Sequence, residues 1–513
     1  MTNSARTIVS GSRRRSCAEV HDRSDRAASG LQGLGVGLGD AVAILMRNSI
    51  EFLEASHATA RIGAFPVPLN WHLAPTELSY VLQDCGAKVL VAHADLLGLV
   101  PEDLVARLHV IVVDVPGEVA AAYPTAETTR TPAHALRWED WLAAQSPLGD
   151  IDLPAIRDSI IYTSGTTGRP KGVVRDPATP EQRAALSRMR AETYRLDEGV
   201  RLLIPAPLYH AAPNVFAHRG LEVAETTVIM PRFEPEAFLK LVEAERITTV
   251  VMVPTMFIRL LRLPEEVRAR YDLSSLRSVL HAAAPCPPDV KRAIIDWFGP
   301  IVFEWYGTTE TSAVTRCDSA EWLRYPGTVG RAIPGGRVEI LDDDGNRLPP
   351  NTPGEVFMIL DFMPDFTYHG RPDEREKAGR DGLITGGDIG YLNDDGYLFI
   401  CDRKKDMVIS GGVNIYPAEI EAVLIGMAGV EDCAVLGLPD PEYGEALMAL
   451  VVAPGGPAEA AIRAYLGDRL AGFKVPRRYE FRDALPRDDV GKILKRRLRE
   501  EILSRAAPQT PAG

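Results

Sequence analysis

The chain of 513 residues exceeds the size at which one hydrophobic core usually stops growing, so we predict two or more domains. Hydrophobic residues make up 46% of the chain and charged residues 25%, a balance typical of globular proteins with large cores. The formal net charge of -13 excludes the basic excess of a nucleic-acid-binding protein, so we expect no nucleic-acid partner.

Two further patterns bear on location. No segment approaches the roughly 18 consecutive apolar residues of a membrane-spanning helix, so no transmembrane segment is predicted. The N-terminus contains arginines but no apolar signal region, and the six cysteines include no C-x-x-C pair. We therefore expect a cytoplasmic protein with free thiols, without disulfides or a zinc site.

The predicted elements of the first 300 residues alternate between helices and strands. A helix that runs into a glycine turn occupies residues 17–40, and a strand follows at Ala41–Leu45. The alternation continues through predicted helices at 52–61 and 76–83 and through strands or apolar segments at 63–69, 88–92, 110–113, 158–161, 249–253 and 278–281. Strands that alternate with helices predict an α/β fold with doubly wound parallel sheets. The glycines at 33–39 lack G-x-G-x-x-G spacing and follow a helix, so they predict no dinucleotide site.

From about Val329 the pattern changes to short strands with Asp-Gly and Pro-Gly turns. Strands at 337–341, 355–360 and 397–401 predict a β-barrel-like annex. A compact C-terminal tail with its own alternation of predicted strands and helices follows. We therefore predict three parts, an N-terminal domain at 1–402 with its annex at about 325–402, a connection at 403–405, and an α+β C-terminal domain at 406–513.

The most informative segment is residues 162–174, Y-T-S-G-T-T-G-R-P-K-G-V-V. Its glycines let the backbone close around an anion, its hydroxyls add neutral donors, and its lysine adds a mobile positive charge. These residues are Gly165, Gly168, Gly172, Thr163, Ser164, Thr166, Thr167 and Lys171. The segment is not a Walker A loop, because Pro170 precedes the lysine, Gly172 follows it, and a helix is not expected to start there. This chemistry predicts a phosphate-binding cradle.

The segment resembles the signature loop of the adenylate-forming enzymes, which include acyl-CoA synthetases, the adenylation domains of peptide synthetases, and luciferases. Other segments resemble motifs of the same family in the same order. They are H-A-A-A-P-C-P at 281–287, E-W-Y-G-T-T-E-T at 304–311, T-G-G-D-I-G-Y at 385–391, D-R-K-K-D-M-V-I-S-G-G-V-N-I-Y-P at 402–417, and P-R-D-D-V-G-K at 486–492. The resemblance extends from about residue 13 to residue 498, and it implies ATP, Mg²⁺ and coenzyme A as cofactors.

The resemblance also implies how the nucleotide is bound. Glu310 would bind magnesium with help from Thr163, and Thr309 would meet the α-phosphate. Tyr306 would stack on the adenine. The other residues expected around the nucleotide base and phosphates are Gly307, Thr308, Ala283 and Ala284.

The later motifs imply a ribose site and a moving domain. Asp388 and Arg403 would bind the ribose hydroxyls, although Gly386 stands where many family members have threonine. Lys405 corresponds to the pivot about which the small mobile domain rotates between two half-reactions, and Lys492 to the lysine that inserts into the adenylation site. The loop residues expected at the pantetheine tunnel or the nucleotide are Gly411, Gly412 and Asn414.

The implied activity is ATP-dependent ligation of a carboxylic acid to coenzyme A through an acyl-adenylate. P-L-Y-H-A-A-P-N at 207–214 resembles the segment at the mouth of the acyl pocket, which would place His210 near the acid carboxylate. The segments at 70–73, 281–287 and 402–417 together resemble those of ligases for fatty or bulky hydrophobic acids. We therefore expect a medium-chain, long-chain or bulky hydrophobic substrate. Basic residues of the tail, among them Lys474 and Arg477, are expected to steer coenzyme A.

Several alternatives stay open from the sequence. The acid could be an aryl acid, and the thiol could belong to a carrier protein instead of free coenzyme A. A homologue that binds nucleotide without catalysis is disfavoured because the charged residues of every motif are present. The sequence leaves a homodimer open as well.

Overall fold

The computed structural model describes residues 6–123, 131–149, 156–163, 170–487 and 493–506. The first part of the chain forms a five-stranded parallel sheet of order β4-β3-β5-β6-β7, with β1 and β2 set apart as a hairpin. Its elements are β1 (Thr7–Ser10), β2 (Arg13–Ser16), α1 (Cys17–Gly33), β3 (Ala41–Leu45), α2 (Ile50–Arg61), β4 (Phe65–Pro68), α3 (Pro75–Asp84), β5 (Val89–His93), α4 (Glu102–Val105), β6 (His109–Val113), α5 (Gly117–Ala122), β7 (Leu136–Arg137) and α6 (Trp138–Ala143). A capping box of Ser16 and Glu19 begins α1, and the predicted helix, glycine turn and strand at 17–45 are confirmed.

The second part adds a larger sheet in which β14, β13, β12, β10, β11 and β1 are parallel neighbours in this order. Its elements are β8 (Ile161–Thr163), β9 (Lys171–Arg175), α7 (Pro180–Glu192), β10 (Arg201–Ile204), α8 (Ala211–Val223), β11 (Thr226–Ile229), α9 (Pro235–Ala244), β12 (Thr249–Met252), α10 (Pro254–Leu261), α11 (Glu265–Arg268), β13 (Ser278–His281), α12 (Pro288–Phe298), β14 (Val302–Thr308), β15 (Ser312–Cys317) and α13 (Ser319–Arg324). The prediction of a strand at 158–161 is wrong for its first three residues. The Ile160 N–H donates to the Pro66 carbonyl (2.9 Å) beside β4, and the strand itself begins at Ile161.

The third part continues this large sheet through antiparallel strands in the order β17-β18-β21-β22-β16-β15-β14. Its elements are β16 (Thr328–Ala332), β17 (Gly336–Leu341), β18 (Gly354–Leu360), β19 (Phe366–Tyr368), α14 (Pro372–Lys377), β20 (Gly379–Arg380), β21 (Leu383–Leu392) and β22 (Leu398–Arg403). Strand β19 leaves this sheet and pairs with β9, so that β19, β9 and β8 form a small antiparallel sheet.

The last part is an α+β unit with sheet order β24-β23-β26-β25 and β27 beside β26. Its elements are β23 (Val408–Ser410), β24 (Val413–Ile415), α15 (Pro417–Ile425), β25 (Asp432–Asp440), β26 (Gly444–Val452), α16 (Glu459–Gly467), β27 (Arg478–Phe481) and α17 (Lys495–Ala506). In the described residues its two apolar clusters draw only on residues from Val408 onward. This separate core supports the predicted C-terminal domain, whose boundaries stay a prediction.

The largest apolar cluster joins the two parallel sheets. It includes Ile44 of β3, Phe52 of α2, Leu202 of β10 and Phe216 of α8, all buried. Burial of such side chains contributes roughly 1.5–3 kcal/mol each, so the two sheets are expected to form one stable body. None of the helices in the described parts of the chain has the length and apolar character needed to cross a bilayer.

Candidate active site

Three of the predicted site residues lie at or just beyond the carboxyl ends of parallel strands. His210 follows β10, Ala283 follows β13, and Tyr306 lies near the end of β14. Ligands of open α/β sheets bind in the crevice outside these strand ends. The fold therefore brings together segments that are far apart in the sequence.

Tyr306, Asp388 and Arg403 form one hydrogen-bonded cluster. The Tyr306 hydroxyl donates to Asp388 Oδ2 (2.7 Å), and Arg403 Nε lies 2.6 Å from Asp388 Oδ1. Asp388 and Arg403 are direct partners across β21 and β22, which fixes their side chains on one face. A carboxylate has about four lone-pair directions, so two protein donors leave room for two hydroxyl groups. Burial, with Asp388 next in effect, raises the pKa of Tyr306 well above its usual value and keeps the phenol protonated.

The glycine at position 386 has a local structural reason. A Cβ atom there would lie 2.5 Å from the Thr308 methyl group, closer than side chains approach each other. The Gly386 carbonyl also accepts a hydrogen bond from the Arg403 guanidinium (3.2 Å). Thr308 therefore occupies the space that a threonine at 386 would need.

Glu310 is held in a tight loop between β14 and β15. The partly buried Arg175 donates to the carbonyls of Thr309 (2.6 Å) and Glu310 (2.8 Å), and the Tyr368 hydroxyl donates to Glu310 Oε1 (2.9 Å). Position 307, just before the loop, requires glycine, because a Cβ there would lie only 1.7 Å from the Ser312 carbonyl oxygen. Sequence reasoning missed Arg175 and Tyr368, although Arg175 lies just after the signature segment.

Lys171 is held by other side chains of the chain and is not a freely mobile charge. It forms an ion pair with Glu374 of α14, and its ammonium lies 5.2 Å from the centroid of the Tyr368 ring. The Lys171 side chain is only 9% exposed. Two residues of the segment 366–377, Tyr368 and Glu374, therefore contact the expected magnesium ligand and the expected phosphate-binding lysine.

Part of the signature loop lies outside the described residues. Thr163 ends β8 and pairs directly with Lys171 at the start of β9, so the two ends of the loop adjoin. The predictions that fall outside the described residues are those on Ser164, Gly165, Thr166, Thr167, Gly168 and Lys492.

The predicted adenine shelf lies between β13 and α12. Ala283 has a φ of 73°, a left-handed conformation uncommon for a residue with a side chain. In the flanking elements, the buried Lys291 of α12 forms an ion pair with Glu304 of β14, and His281 Nε2 at the end of β13 lies 3.6 Å from the same carboxylate oxygen. Burial lowers the pKa of His281 well below its usual value, so this imidazole is neutral beside the charged pair. These contacts join the end of β13 and the helix α12 to Glu304 of β14.

His210 is the N-cap residue of α8, and the segment just before it is fixed by hydrogen bonds to two asparagines. The Leu208 N–H donates to Asn48 Oδ1 (2.8 Å), and the Leu208 carbonyl accepts from Asn214 Nδ2 (3.1 Å). Asn48 also donates to the carbonyl that follows each of β10 and β11, at Ala206 and Met230 (2.9 Å each). Burial lowers the pKa of His210 to about 4, so its imidazole is neutral at neutral pH and adds no charge beside an acid.

In the C-terminal unit the predicted glycines form a hairpin turn. Gly411 and Gly412 connect β23 to β24 with φ values of 57° and 81°. Two successive positive φ values are typical of a tight β-hairpin and favour glycine, so the turn itself accounts for both residues. Asn414 lies on β24 opposite Ile409. Lys405 lies in the turn after β22, next to Lys404, which binds two carboxylates of the preceding sheet.

The basic residues of the tail are largely paired with acidic ones. The pairs are Lys474 with Glu419, Arg482 with Glu480 and Glu501, Lys495 with Glu421, Arg496 with Glu500, and Arg499 with Glu445. Arg477 stacks on the Tyr443 ring at 3.9 Å. This pairing reduces the positive potential that could attract a polyanion such as coenzyme A. The expectation that the tail steers coenzyme A relied on that potential.

Comparison with known proteins agrees with this arrangement. Residues 2–359 match the profile described as AMP-binding enzyme, and residues 419–492 match the AMP-binding enzyme C-terminal domain. The chain belongs to the AMP-binding enzyme family. It is similar to the long-chain-fatty-acid–CoA ligase FadD13 of Mycobacterium tuberculosis, with 35% identity over 94% of this chain and 92% of that protein. It is also similar to feruloyl-CoA synthase of an Amycolatopsis species, with 36% identity over 94% and 93%.

A solved structure of this family extends the likeness to three dimensions. ATP-bound MatB from Rhodopseudomonas palustris superposes with a TM-score of 0.82 and 30% identity, over 98% of this chain and 96% of that one. The expected fold, a large α/β N-terminal part with a small C-terminal domain, is confirmed by this match. AMP-binding enzymes form adenylates from ATP, and the roles of individual residues in this chain stay predictions.

Proposed function

We propose that this AMP-binding enzyme is an ATP-dependent carboxylic acid–CoA ligase that works through an acyl-adenylate. The observation that carries this proposal is the cluster of Tyr306, Asp388 and Arg403 beside the Glu310 loop, at the carboxyl ends of the sheet. The cluster supplies an aromatic face and a fixed carboxylate for a nucleoside. The neighbouring Glu310 and Lys171 supply groups for its phosphates.

In the first half-reaction a carboxylate oxygen of the acid attacks the α-phosphorus of ATP. The bond from that phosphorus to the bridging oxygen breaks, and pyrophosphate leaves with the electron pair. Lys171 and Lys492 are proposed to oppose the negative charge that develops on the oxygens. When bound, Mg²⁺ would neutralise phosphate charge, and Glu310 with Thr163 would hold it. Tyr368 contacts Glu310 only at Oε1 within the described structure, which leaves Oε2 for an ion.

In the second half-reaction the coenzyme A thiol attacks the acyl carbonyl. A carbon–sulfur bond forms, the acyl–phosphate bond breaks, and AMP leaves. Asp388 and Arg403 are proposed to keep hold of the ribose through both steps. Lys405 is proposed as the pivot that exchanges Lys492 for the hairpin of Gly411 and Gly412, with Asn414 near the nucleotide.

The proposed acid is a medium-chain, long-chain or bulky hydrophobic carboxylate. Relatives named for a long-chain fatty acid and for ferulate support a largely apolar acyl group. His210 at the start of α8 is proposed to offer the acid carboxylate a hydrogen bond from a neutral imidazole. An aryl acid fits the same observations and is one arm of the test.

A second candidate is transfer of the acyl group to a carrier-protein thiol. The observation that favours it is the pairing of tail cations with carboxylates, which leaves less positive charge for a free polyanionic thiol. The adenylation step is the same in both candidates. Only the acceptor differs.

The experiment is mass-spectrometric detection of products from a panel of fatty, bulky and aryl acids with ATP and Mg²⁺, in the presence of either coenzyme A or a phosphopantetheinylated carrier protein. Acyl-CoA is the expected product. Acyl carrier protein without acyl-CoA would favour the second candidate, and no acid-dependent pyrophosphate release with any acid would overturn both. Lys492→Ala should reduce that release by roughly two to three orders of magnitude, whereas Lys474→Ala serves as a matched control with normal release.

A further inference from the structure

A short segment next to the signature loop contacts Lys171 directly. Residues 366–377 comprise β19 and α14, and β19 pairs with β9 in the register Tyr368 to Val173. Because Lys171 is the first residue of β9, the pairing fixes α14 beside the lysine. Arg375 of α14 binds Asp365 (2.9 Å) and the Phe366 carbonyl (3.1 Å), which ties the helix to its own strand.

Glu374 is the acidic partner that this segment presents to Lys171. The two side chains form an ion pair in which the lysine is 9% exposed and the glutamate 23%. The other charges acting on Glu374 come from Arg371 and Lys377 of the same segment. The hydrogen bond from Lys171 lowers the pKa of the Glu374 carboxyl, which is therefore ionised at neutral pH.

Glu374 pairs with the same ammonium charge that would bind a phosphate. An ammonium group is a compact point charge, and its attraction to one anion is weakened while another anion lies against it. A phosphate bound at Lys171 with Glu374 in place would also lie near a like charge. Glu374 therefore competes with a bound phosphate for the charge of Lys171.

We propose that Glu374 is the resting counter-ion of Lys171 and that its release from the lysine sets the affinity for ATP. The proposal rests on the proposed function, because it takes Lys171 as a phosphate-binding residue. The measured dissociation constant for ATP then equals the intrinsic constant divided by the fraction of molecules in which Lys171 is free of Glu374. A variant that frees Lys171 should bind ATP more tightly.

The test measures the equilibrium dissociation constant for ATP with Mg²⁺ and without acid, by calorimetry, in the full-length chain. Glu374→Gln removes the charge and keeps the size of the side chain. Glu374→Asp keeps the charge and withdraws it by one methylene. Both should lower the dissociation constant by about three- to tenfold, as expected if Lys171 is free for roughly a tenth to a third of the time. Glu376→Gln, on the same helix, is the control for a general change in surface charge and should leave the constant unchanged.

Three results would overturn the proposal. They are an unchanged or higher dissociation constant for Glu374→Gln, a decrease for Glu374→Gln without one for Glu374→Asp, and an equal decrease for Glu376→Gln. The last two would assign the effect to long-range repulsion. The melting temperature of each variant without ATP checks that it is folded. ATP binding and acid-dependent pyrophosphate release by the unmodified chain test the proposed function separately, so a failure here leaves that function standing.

Discussion

Glu310 and Lys171 each depend on an aromatic residue outside the recognised motifs. The Tyr368 hydroxyl donates to Glu310, and its ring lies below the Lys171 ammonium. The backbone carbonyl of Glu310 accepts a hydrogen bond from Arg175, whose pKa is lowered by desolvation. Mutation of a residue that hydrogen-bonds a metal-binding carboxylate typically lowers metal affinity or activity about 10- to 100-fold.

Tyr368→Phe should weaken magnesium binding and leave the fold intact. The phenylalanine ring preserves the contact with Lys171, so the change isolates the hydrogen bond to Glu310. We expect the Mg²⁺ concentration for half-maximal pyrophosphate release to rise roughly tenfold. Titration of Mg²⁺ at saturating ATP gives this value. Tyr391→Phe, at a tyrosine stacked on Phe399 in the annex, is the matched control, and equal Mg²⁺ requirements in both variants would contradict the role of Tyr368.

At the scale of elements, the hairpin between β23 and β24 separates two explanations for the same glycines. The turn requires positive φ, and the implied pantetheine tunnel requires the absence of a side chain. Asparagine tolerates positive φ better than other residues with a side chain. A Cβ at Gly412 would meet no atom within 4 Å, so an asparagine there has no steric obstacle and costs only the backbone strain of its positive φ.

Gly412→Asn should therefore leave the domain folded, at the cost of some backbone strain, and obstruct the tunnel. We expect normal pyrophosphate release and a loss of acyl-CoA formation of at least about tenfold, a barrier increase of about 1.4 kcal/mol. Single-turnover assays of each half-reaction measure the two effects. Gly455→Asn is a control at another positive-φ glycine of the same domain with no atom near its Cβ position. Normal thioester formation by Gly412→Asn would leave the turn as the whole reason for this glycine.

Three helices that contribute to the largest apolar cluster, α1, α2 and α8, carry a group of histidines. His21 of α1 and His57 of α2 pack edge to face at 4.9 Å, and the charge of His218 of α8 acts on His57. Burial lowers the pKa of His57 to about 3 and lowers the pKa of His21 and His218. Between pH 6.5 and 3 the unfolded chain therefore binds protons that the folded chain does not.

Stability should be lost as the pH falls through about 6.5, because each depressed histidine pKa favours the unfolded state there. From pH 7 to pH 5, His57 alone should account for about 2 kcal/mol of lost unfolding free energy. His57→Gln should reduce that loss by about this amount in urea unfolding at the two pH values. His109→Gln, at an exposed histidine of β6, should leave it unchanged. The same loss in His57→Gln as in the unmodified chain would contradict this assignment.

The elements were predictable from the sequence where local pattern decides them. The helix at 17–33 has a capping box and the strand at 41–45 an apolar run, and both formed as predicted. The predicted strand at 158–161 began too early. Ile160 instead donates its N–H to the carbonyl of Pro66, a contact distant in the sequence that a local pattern does not reveal. The roles of Arg175 and Tyr368 were not predicted for the same reason, since their partner Glu310 lies 135 and 58 residues away in the sequence.

At the scale of the whole molecule, the connection from β22 to the C-terminal unit is a short turn whose first residues are anchored to the preceding sheet. Arg403 is held to Asp388, and Lys404 to Asp343 and Glu355. Strand β23 begins at Val408, so the few residues after Lys404 have to absorb any rotation of the C-terminal domain. Lys405 is the first of them.

Lys405→Pro should separate the two half-reactions. Proline fixes φ near about −65°, and a rotation of the domain needs a large change of φ or ψ at this position. We expect acid-dependent pyrophosphate release to continue for one turnover while acyl-CoA formation stops. The acyl-adenylate should then accumulate on the enzyme, where hydroxylamine converts it to a hydroxamate that can be measured.

Lys405→Ala is the matched control, because it removes the same side chain and leaves φ and ψ free. It should form acyl-CoA at close to the normal rate, so that the defect of the proline variant reports backbone rotation and not loss of the lysine. If both variants made acyl-CoA normally, the pivot would lie elsewhere in 404–407 or both steps would occur in one orientation. If both failed equally, the Lys405 side chain itself would be needed, and the anchors at Arg403 and Lys404 would be the next positions to test by proline substitution.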